Sequence, residues 1–302
     1  MALNSLIAGP GALGSLACLH AQTLGEVTVF PHRAGISLPK TMVRRNEITK
    51  LNWSLESTPA AFRPDLIWIC TKAFNAQQVA TTLVKKYPHA AIILLHNGLG
   101  PQEAIRQLTP NLCILGTTTC GAYAHEVQHY TQTLGGQTLL GCPESTSQHA
   151  HSRSILDEIL CSSSAFNLHK SDDIEIELWH KLVVNAVINP MTAYYQMVNG
   201  ELLKPEYRQD ISSLCDDINC IRLGLNLPII EHYIEKILDV ATLTHSNRSS
   251  MAEDIRFHRK TEIDFINGYL IKKANSLGLS SCHLKKWYYA IASITAAQTQ
   301  HT

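Results

Sequence analysis

A lysine and two asparagines recur at four-residue spacing in an otherwise apolar segment, and these residue types could bind and protonate a polar ligand. Lys181, Asn185 and Asn189 lie in the stretch 177–192, whose other residues are mostly apolar. On a helix, positions i, i+4 and i+8 fall within about 80° of one another, and their polar atoms need partners when buried. The structural alternative is a core helix whose lysine extends to the surface. Three polar residues in register favour the wall of a polar pocket.

The helix that carries this row is predicted over 173–189. Asp172, followed three residues later by Glu175, is a reasonable N-cap. Pro190 disfavours helical geometry at Asn189, so the helix is expected to kink or fray there.

Composition limits the classes of protein to consider. A chain of 302 residues with 45% hydrophobic and 17% charged residues is typical of a globular protein large enough for two domains. Its 25 basic and 25 acidic residues balance, so no overall charge indicates nucleic acid or a membrane surface as a partner. The sequence has no apolar run of about 18 residues, so no transmembrane helix is predicted.

Location within the cell is suggested by the N-terminus and the cysteines. The apolar N-terminus has no lysine or arginine before Arg33, so we interpret it as mature structure rather than a signal peptide. Nine cysteines without a C-x-x-C pair predict buried free thiols and a cytoplasmic protein.

A glycine-rich turn lies between two predicted strands near the N-terminus. A strand at Ser5–Ala8 is followed by the turn, a helix-compatible run at Ser15–Leu24 and a strand at Val27–Phe30. G-x-G-x-x-G in this context is the dinucleotide fingerprint, whose glycines let the backbone approach a pyrophosphate at a helix N-terminus. The alternative is a turn that only packs helix on strand. The candidate cofactor contacts in the turn are Gly9, Pro10, Gly11, Ala12, Leu13 and Gly14.

The end of the second strand bears on the choice of cofactor. An NAD site normally places an acidic residue there for the ribose 2′-hydroxyl, whereas this strand runs into Pro31, His32 and Arg33. Arg33 suits a 2′-phosphate through bidentate hydrogen bonds, and His32 could share that role. NADPH is therefore preferred over NADH, although Arg33 could also be an ordinary surface residue.

Two further predicted strands, 65–71 and 91–95, end next to polar residues. Lys72 follows the first and Asn97 the second, and the carboxyl ends of parallel strands are where such sheets bind ligands. Lys72 could neutralise a phosphate or a substrate carboxylate, and Asn97 could bind the nicotinamide ribose or the substrate. Either could instead be a satisfied loop residue.

One segment matches a zinc-protease signature without its structural context. His125-Glu-Val-Gln-His129 has the H-E-x-x-H pattern, which requires a helix and a third ligand. Its flanks predict strands and a turn, and in a strand Glu126 would point away from both histidines. We interpret the match as a coincidence and expect no metal site.

The second half of the chain has helical periodicity throughout. Helices are predicted at 173–189, 205–223, 228–244, 250–277 (with a break allowed) and 281–298, with Pro205 and Pro228 in first turns and Gly224 and Gly278 at helix ends. We predict an α/β Rossmann-type domain, 1–170, and an all-α domain, 171–302, with a ligand cleft between them. Within the helical half, Ser250 could be an N-cap or a donor to a carboxylate, and the sequence alone favours the cap. Glu262 is by default solvated or ion-paired.

These segments together resemble the ketopantoate reductase family. The resemblance is carried, in order along the chain, by Gly9–Gly14, Thr71-Lys-Ala73, His96-Asn-Gly-Leu-Gly100, Gly116-Thr-Thr-Thr119, Glu177–Thr192, Asn199-Gly-Glu-Leu202, Ser249–Ile255 and Thr261–Gly268. It implies a 6-phosphogluconate dehydrogenase C-terminal-like helical domain. It also implies NADPH-dependent reduction of 2-dehydropantoate to (R)-pantoate in pantothenate and coenzyme A biosynthesis, by a monomer or homodimer.

The resemblance also implies a role for each candidate residue. Lys181 matches the catalytic proton donor, and Glu262 an acidic residue near the cofactor and that lysine. Asn97 matches a contact to both cofactor and substrate. The remaining implied contacts are Arg33 and Lys72 to the 2′-phosphate, Ala122 to the cofactor through its backbone, and Asn185, Asn189, Asn199 and Ser250 to the substrate.

Two other functions are compatible with the residues. One is a related reductase acting on another 2-oxo or β-hydroxy acid. The other is a non-catalytic NADPH sensor, which would be expected to have lost the row of Lys181, Asn185 and Asn189, and this row is intact.

Overall fold

The computed structural model describes residues 2–30, 37–55, 62–109, 113–126, 128–133, 135–143, 150–161, 166–228, 230 and 232–299. The chain divides into two units, Met1–Leu178 and Trp179–Thr302. The first unit carries all of the described strands, and the described part of the second is helical.

Strands and helices alternate along the first unit. The described strands are β1 Ser5–Ala8, β2 Val27–Phe30, β3 Thr41–Arg44, β4 Glu47–Lys50, β5 Ser54–Leu55, β6 Leu66–Ile69, β7 Ala91–Leu94, β8 Cys113–Thr118, β9 Ala122–Glu126, β10 His129–Gln132, β11 Thr138–Gly141 and β12 Leu168–Lys170. The helices are α1 Ala12–Ala21, α2 Ala73–Lys86, α3 Pro101–Leu108 and α4 Ala150–Leu160.

Eight of these strands form one sheet in the order β12-β11-β8-β7-β6-β1-β2-β5. In the part of the sheet with the order β8-β7-β6-β1-β2-β5, all neighbouring strands pair in parallel, and β11 is antiparallel to β8. Strands β1, β6 and β7 are buried along their whole length, which explains why their sequences are apolar without alternation. The order β5-β2-β1-β6-β7-β8 is that of the Rossmann dinucleotide-binding fold. The predicted fold class is confirmed.

A second sheet of four strands, β4-β3-β10-β9, was not predicted as a sheet. Its β3–β4 hairpin turns at Arg45 and Asn46, which both have positive φ, as a tight hairpin requires. Strand β4 is exposed along its length, so its sequence carries little apolar signal. Strands β9 and β10 confirm that His125 and His129 lie on strands rather than on the helix that zinc-protease chemistry needs. His129 Nδ1 lies 2.7 Å from Thr41 Oγ1.

Six helices account for most of the second half of the chain. They are α5 Ile174–Tyr195, α6 Arg208–Gly224, α7 Tyr233–Leu243, α8 Ser250–Arg256, α9 Asn267–Ser276 and α10 Cys282–Thr299, with short 3-10 helices at Asn199–Leu203, Pro205–Tyr207 and Ile263–Phe265. The boundary between the two units falls within α5. The predicted all-helical character is confirmed, and the segment 250–277 is broken into two helices.

Two buried charged side chains of α6 organise the second unit. Asp217 accepts hydrogen bonds from the backbone N–H groups of His283 (2.9 Å) and Leu284 (3.0 Å), and so caps the first turn of α10. Arg222 donates from Nε (3.2 Å) and a terminal nitrogen (2.7 Å) to the Pro228 carbonyl. Pro228 lies in the loop before α7, which begins at Tyr233, so its predicted place in a helical first turn is wrong.

Several predicted helix ends are corrected by the structure. α1 begins at Ala12, inside the glycine turn, rather than at Ser15. The side chain that caps α5 belongs to Asp173, whose Oδ1 accepts from the Ile176 N–H at 3.1 Å, and not to Asp172. α5 also continues through Pro190 to Tyr195.

All nine cysteines are free thiols, but not all are buried. Cys113 and Cys215 are buried as expected, and burial raises the pKa of each thiol to about 12. Cys161, Cys220 and Cys282 are exposed, so the prediction of burial was wrong for these three. Among the described helices, none is long and apolar enough to cross a bilayer.

The histidine at position 20 makes folding stability depend on pH. His20 is fully buried on α1, with its ring edge-on to Trp68 at a centroid distance of 6.0 Å. Burial lowers the pKa of His20 to about 4, an effect partly offset by the Ile159 backbone. Below pH 6.5 the unfolded chain binds a proton that the folded chain excludes.

We therefore expect the free energy of unfolding to be fully retained at neutral pH and to fall between pH 6.5 and 4, by about 1.4 kcal/mol per pH unit from this group. His20→Gln should remove that part of the slope in urea unfolding curves recorded across this range. His89→Gln, at an exposed histidine, is the matched control and should leave the slope unchanged. An unaltered slope in His20→Gln would contradict the assignment.

Candidate functional site

The glycine turn after β1 is held by close backbone contacts at two of its three glycines. Gly9 has a φ of +94°, and a Cβ added there would lie 2.7 Å from the Thr71 nitrogen. A Cβ at Gly14 would lie 2.2 Å from the Gly9 carbonyl oxygen. Neither position accepts a side chain without a shift of the backbone.

The remaining glycine of the turn faces open space. A Cβ at Gly11, the N-cap of α1, would meet nothing within 4 Å. The cap has no side-chain hydrogen bond, and the first turn of α1 has no acidic residue. Backbone amides at a helix N-terminus attract anions, so the turn Gly9–Gly14 offers a cradle that fits a dinucleotide diphosphate.

Two predicted site residues of the same unit lie at the corresponding edge of the sheet. Strand β6 pairs with β1 on one side and β7 on the other, all parallel, so the segments after them leave the sheet at one edge. Lys72 is the N-cap of α2 after β6, and Asn97 follows β7. Both are partly buried. The structure thus brings the glycine turn, Lys72 and Asn97 to neighbouring strand ends.

The loop that carries Asn97 has supports that the sequence did not reveal. His96 is buried, and its Nδ1 lies 3.1 Å from the Asn97 carbonyl oxygen. Gln102, on the first turn of α3, donates from Nε2 to the Gly98 carbonyl at 3.0 Å. The only signal in the sequence is the position of His96 and Gln102 on either side of the glycine-containing segment 97–100.

Two further candidate cofactor contacts, Ala122 and Arg33, differ in whether the structure describes them. Ala122 is the first residue of β9, a strand of the four-stranded sheet that packs against α1. Its backbone therefore lies on the same face of the eight-stranded sheet as α1. Arg33, with His32, lies outside the described residues.

In the second unit, the polar row occupies one continuous helix. Lys181 and Asn185 on α5 are partly buried, and Asn189 is buried. Asn189 is helical, because α5 runs on through Pro190. Of the kink or fraying predicted at this point, the fraying is wrong, because α5 continues to Tyr195. The row therefore keeps its i, i+4, i+8 spacing on one helix.

Asn199 lies in a buried position with spare hydrogen-bonding capacity. Its Nδ2 donates to Thr244 Oγ1 at 2.9 Å. Its Oδ1 is buried and has no hydrogen-bond partner among the described residues. A buried amide oxygen without a partner is uncommon, and this one is available to accept from a ligand hydroxyl.

At the start of α8, the N-cap is Ser249 and not Ser250, which the sequence predicted. Ser249 is the N-cap, and its Oγ accepts from the Ala252 N–H at 3.1 Å. Ser250 is exposed in the first turn, so it is not the cap. Sequence reasoning favoured Ser250 as the cap and missed Ser249. Thr192 Oγ1 lies 2.7 Å from Ser249 Oγ, so this cap also ties α8 to α5.

Of the two default states predicted for Glu262, solvated or ion-paired, its burial excludes the solvated one. Glu262 is 4% exposed and precedes the 3-10 helix Ile263–Phe265. A buried carboxylate is costly unless it is paired or hydrogen-bonded.

One group of possible metal ligands has a structural explanation. Ligand atoms of Asp217, Cys282 and His283 lie within 4.8 Å of one another. Asp217 already accepts from the first amides of α10, and the positive end of a helix disfavours a cation. We interpret the group as a helix cap.

Comparison with known proteins places both halves of the chain in a single family. A family model described as ketopantoate reductase PanE/ApbA matches residues 5–145, and its C-terminal counterpart matches residues 173–294. The 2-dehydropantoate 2-reductase of Vibrio cholerae is 30% identical over 92% of this chain and 93% of its own. That of Salmonella typhimurium is also 30% identical, over 91% and 89%.

Solved structures share the fold. The probable 2-dehydropantoate 2-reductase of Bacillus subtilis superposes with a TM-score of 0.81 at 26% identity, over 97% of this chain and 100% of that one. A D-mandelate dehydrogenase superposes with a TM-score of 0.84 over 98% and 100%, and at 20% identity this likeness concerns the fold alone.

The serine pair allows a matched test of the site's geometry. Ser249→Ala removes an N-cap and the partner of Thr192, and should lower the free energy of unfolding by about 1–2 kcal/mol. Ser250→Ala removes an exposed hydroxyl and should change it by less than about 0.5 kcal/mol. Chemical denaturation of both variants beside the wild type measures the difference. Equal losses would show that the cap is wrongly assigned.

Proposed function

Because the chain belongs to the ketopantoate reductase family, a family of NADP-dependent oxidoreductases, we propose that it reduces 2-dehydropantoate to (R)-pantoate with NADPH in pantothenate and coenzyme A biosynthesis. The observation that carries the proposal is the unbroken row of Lys181, Asn185 and Asn189 on α5, inside the family match. A proton donor and two amides on one helix face suit a 2-oxo acid, whose carbonyl must be protonated and whose carboxylate and hydroxyl must be bound.

For the cofactor, we propose that the turn Gly9–Gly14 binds the diphosphate of NADPH through backbone amides. Lys72 and Arg33 contact its 2′-phosphate, while Asn97, the Ala122 backbone and Glu262 make further contacts. Support comes from the open cradle at the α1 N-terminus and from the shared sheet edge of Lys72 and Asn97. When bound, NADPH supplies a hydride.

For the proton, we propose that Lys181 acts as the general acid. As negative charge develops on the carbonyl oxygen, its ammonium group stabilises that charge and donates the proton, which yields the 2-hydroxy acid. Glu262, a buried carboxylate, acts beside this lysine. Asn97 also contacts the substrate. The other proposed substrate contacts are Asn185, Asn189, Asn199 and Ser250.

We also propose that residues 1–170 bind the cofactor and that residues 171–302 bind the substrate and transfer the proton. The protein would act in the cytoplasm as a monomer or homodimer on a small 2-oxo acid. Its balanced charge offers no reason to expect a nucleic acid or membrane partner.

The proposed reaction is tested by following NADPH oxidation with purified protein. 2-Dehydropantoate should be reduced faster than other 2-oxo acids at equal concentration, and NADH should replace NADPH poorly. Preference for another 2-oxo acid would leave the reductase chemistry standing and overturn the substrate. Failure of every 2-oxo acid in the panel would overturn the reaction.

Lys181→Ala tests the proton donor. Loss of a general acid should reduce turnover by about 10²- to 10⁴-fold, while the Kd for NADPH, measured by fluorescence titration, stays within about twofold because the lysine is not assigned to the cofactor. Lys236→Ala, at an exposed lysine of α7, is the matched control. Normal turnover in Lys181→Ala would remove this residue from the mechanism.

Gly11→Ala and Gly14→Ala test the cofactor cradle. The new methyl of Gly11→Ala projects into the open space beside the α1 N-terminus, so the protein should fold normally and bind NADPH about tenfold more weakly, a loss of about 1.4 kcal/mol. Gly14→Ala forces a backbone contact, so its primary effect should be a lower melting temperature. Unchanged NADPH affinity in Gly11→Ala would place the diphosphate elsewhere.

A further inference from the structure

The proline inside α5 leaves a backbone carbonyl without its helical donor. In a helix the N–H of residue i donates to the carbonyl of residue i−4, and proline has no N–H. Pro190 therefore cannot serve the carbonyl of Ala186, although α5 is helical from Ile174 to Tyr195. Ala186 is 0% exposed, so bulk water cannot replace the missing donor. A buried carbonyl of this kind needs another partner.

The partner comes from α9. Asn267, its first residue, donates from Nδ2 to the Ala186 carbonyl oxygen at 3.1 Å. Asn267 is itself 0% exposed, and it reaches this carbonyl across 81 residues of sequence. Only the amide nitrogen of its side chain can point at a carbonyl, because the amide oxygen would be repelled. The contact thus fixes both the side chain and its orientation.

The position of this contact relates it to the proposed site. Ala186 follows Asn185 directly and precedes Asn189 by three residues, so the carbonyl lies within the helical turn that joins these two amides. One turn further on, Thr192 Oγ1 lies 2.7 Å from the Ile188 carbonyl and from Ser249 Oγ. The part of α5 that contains the proline is thus held by α8 and α9.

We propose that Asn267 is a positioning residue for the substrate-binding row, and that its side-chain amide replaces the backbone N–H that Pro190 lacks. Without this donor, α5 opens at Ala186 and Asn189 loses its register with Lys181 and Asn185. This inference rests on the proposed function for its effect on catalysis. Its structural part, the exchange of one donor for another, stands independently of any substrate.

A double-mutant cycle between positions 267 and 190 tests the exchange. Asn267→Leu removes the donor at similar volume, and Pro190→Ala restores the backbone N–H to Ala186. In the wild-type background, Asn267→Leu should raise the unfolding equilibrium constant on the order of tenfold or more. In the Pro190→Ala background the same change should raise it by much less, because the carbonyl is already satisfied. The coupling of the two positions is the measured quantity.

The effect on catalysis is measured in the wild type, the two single variants and the double variant, below the melting temperature of the least stable protein. Asn267→Leu should lower kcat/KM for 2-dehydropantoate by about 10- to 100-fold in the wild-type background, as expected of a misplaced binding group, and by about threefold or less in the Pro190→Ala background. The Kd for NADPH should not move in any of them. Asn275→Leu, at an exposed asparagine of α9, should behave as the wild type.

Each outcome has a defined meaning. Equal effects of Asn267→Leu in both backgrounds, on stability and on kcat/KM, would overturn the inference, since Asn267 would then be an ordinary core residue. Coupling in stability without rescue of kcat/KM would overturn the positioning role. A wild type that does not reduce 2-dehydropantoate but shows the stability coupling would overturn the proposed function and leave the donor exchange supported. If Asn267→Leu fails to fold in both backgrounds, Asn267→Asp, of nearly equal volume, takes its place in the cycle.

Discussion

Buried polar groups on α5 are the constraint on which the second unit depends. The helix must pack apolar residues on most of its surface and still present Lys181, Asn185 and Asn189. Every buried donor or acceptor along it has to be satisfied within the protein or by a ligand. The hydrogen bond from Asn267 to the Ala186 carbonyl meets this requirement for the backbone near Pro190, and the contact of Thr192 with Ser249 meets it for two buried hydroxyls. In the proposed function, the side chains of the row recognise the substrate.

The first unit obeys a different constraint, the close approach of backbones. Gly9 and Gly14 allow β1, the turn and α1 to pack at distances that no Cβ would permit, and Gly11 leaves the helix N-terminus open. Parallel pairing of β1, β6 and β7 then brings the segments that follow them to one edge. In the proposed reaction the backbone of the glycine turn binds the cofactor diphosphate, whereas side chains of the second unit bind and protonate the substrate. The two tasks require different groups: backbone N–H dipoles for the diphosphate, and a lysine with two side-chain amides for the substrate.

Much of this architecture was predictable because its signals are local. Buried parallel strands have continuous apolar sequences, and G-x-G-x-x-G directly after such a strand is specific in that context. The strands at Ser5–Ala8 and Val27–Phe30 followed from these patterns. The helical character of the second half followed from its helical periodicity. Predictions failed where a residue distant in sequence supplied a contact that the local sequence rule does not consider. Proline predicted the end of α5, but α9 supplied the missing donor; Pro228 resembled a first-turn proline, but Arg222 binds its carbonyl in a loop.

By itself, the sequence determined which residues could do chemistry and the elements that carry them, because helical spacing and strand-end position are properties of neighbouring residues. It therefore identified the row on α5 and the glycine cradle. The tertiary structure alone decided that Asn189 remains helical, that Ser249 rather than Ser250 caps α8, and that Glu262 is buried. Each of these depends on which group lies opposite in space, on another helix or across a loop. Spacing along the chain carries no information about that opposing group.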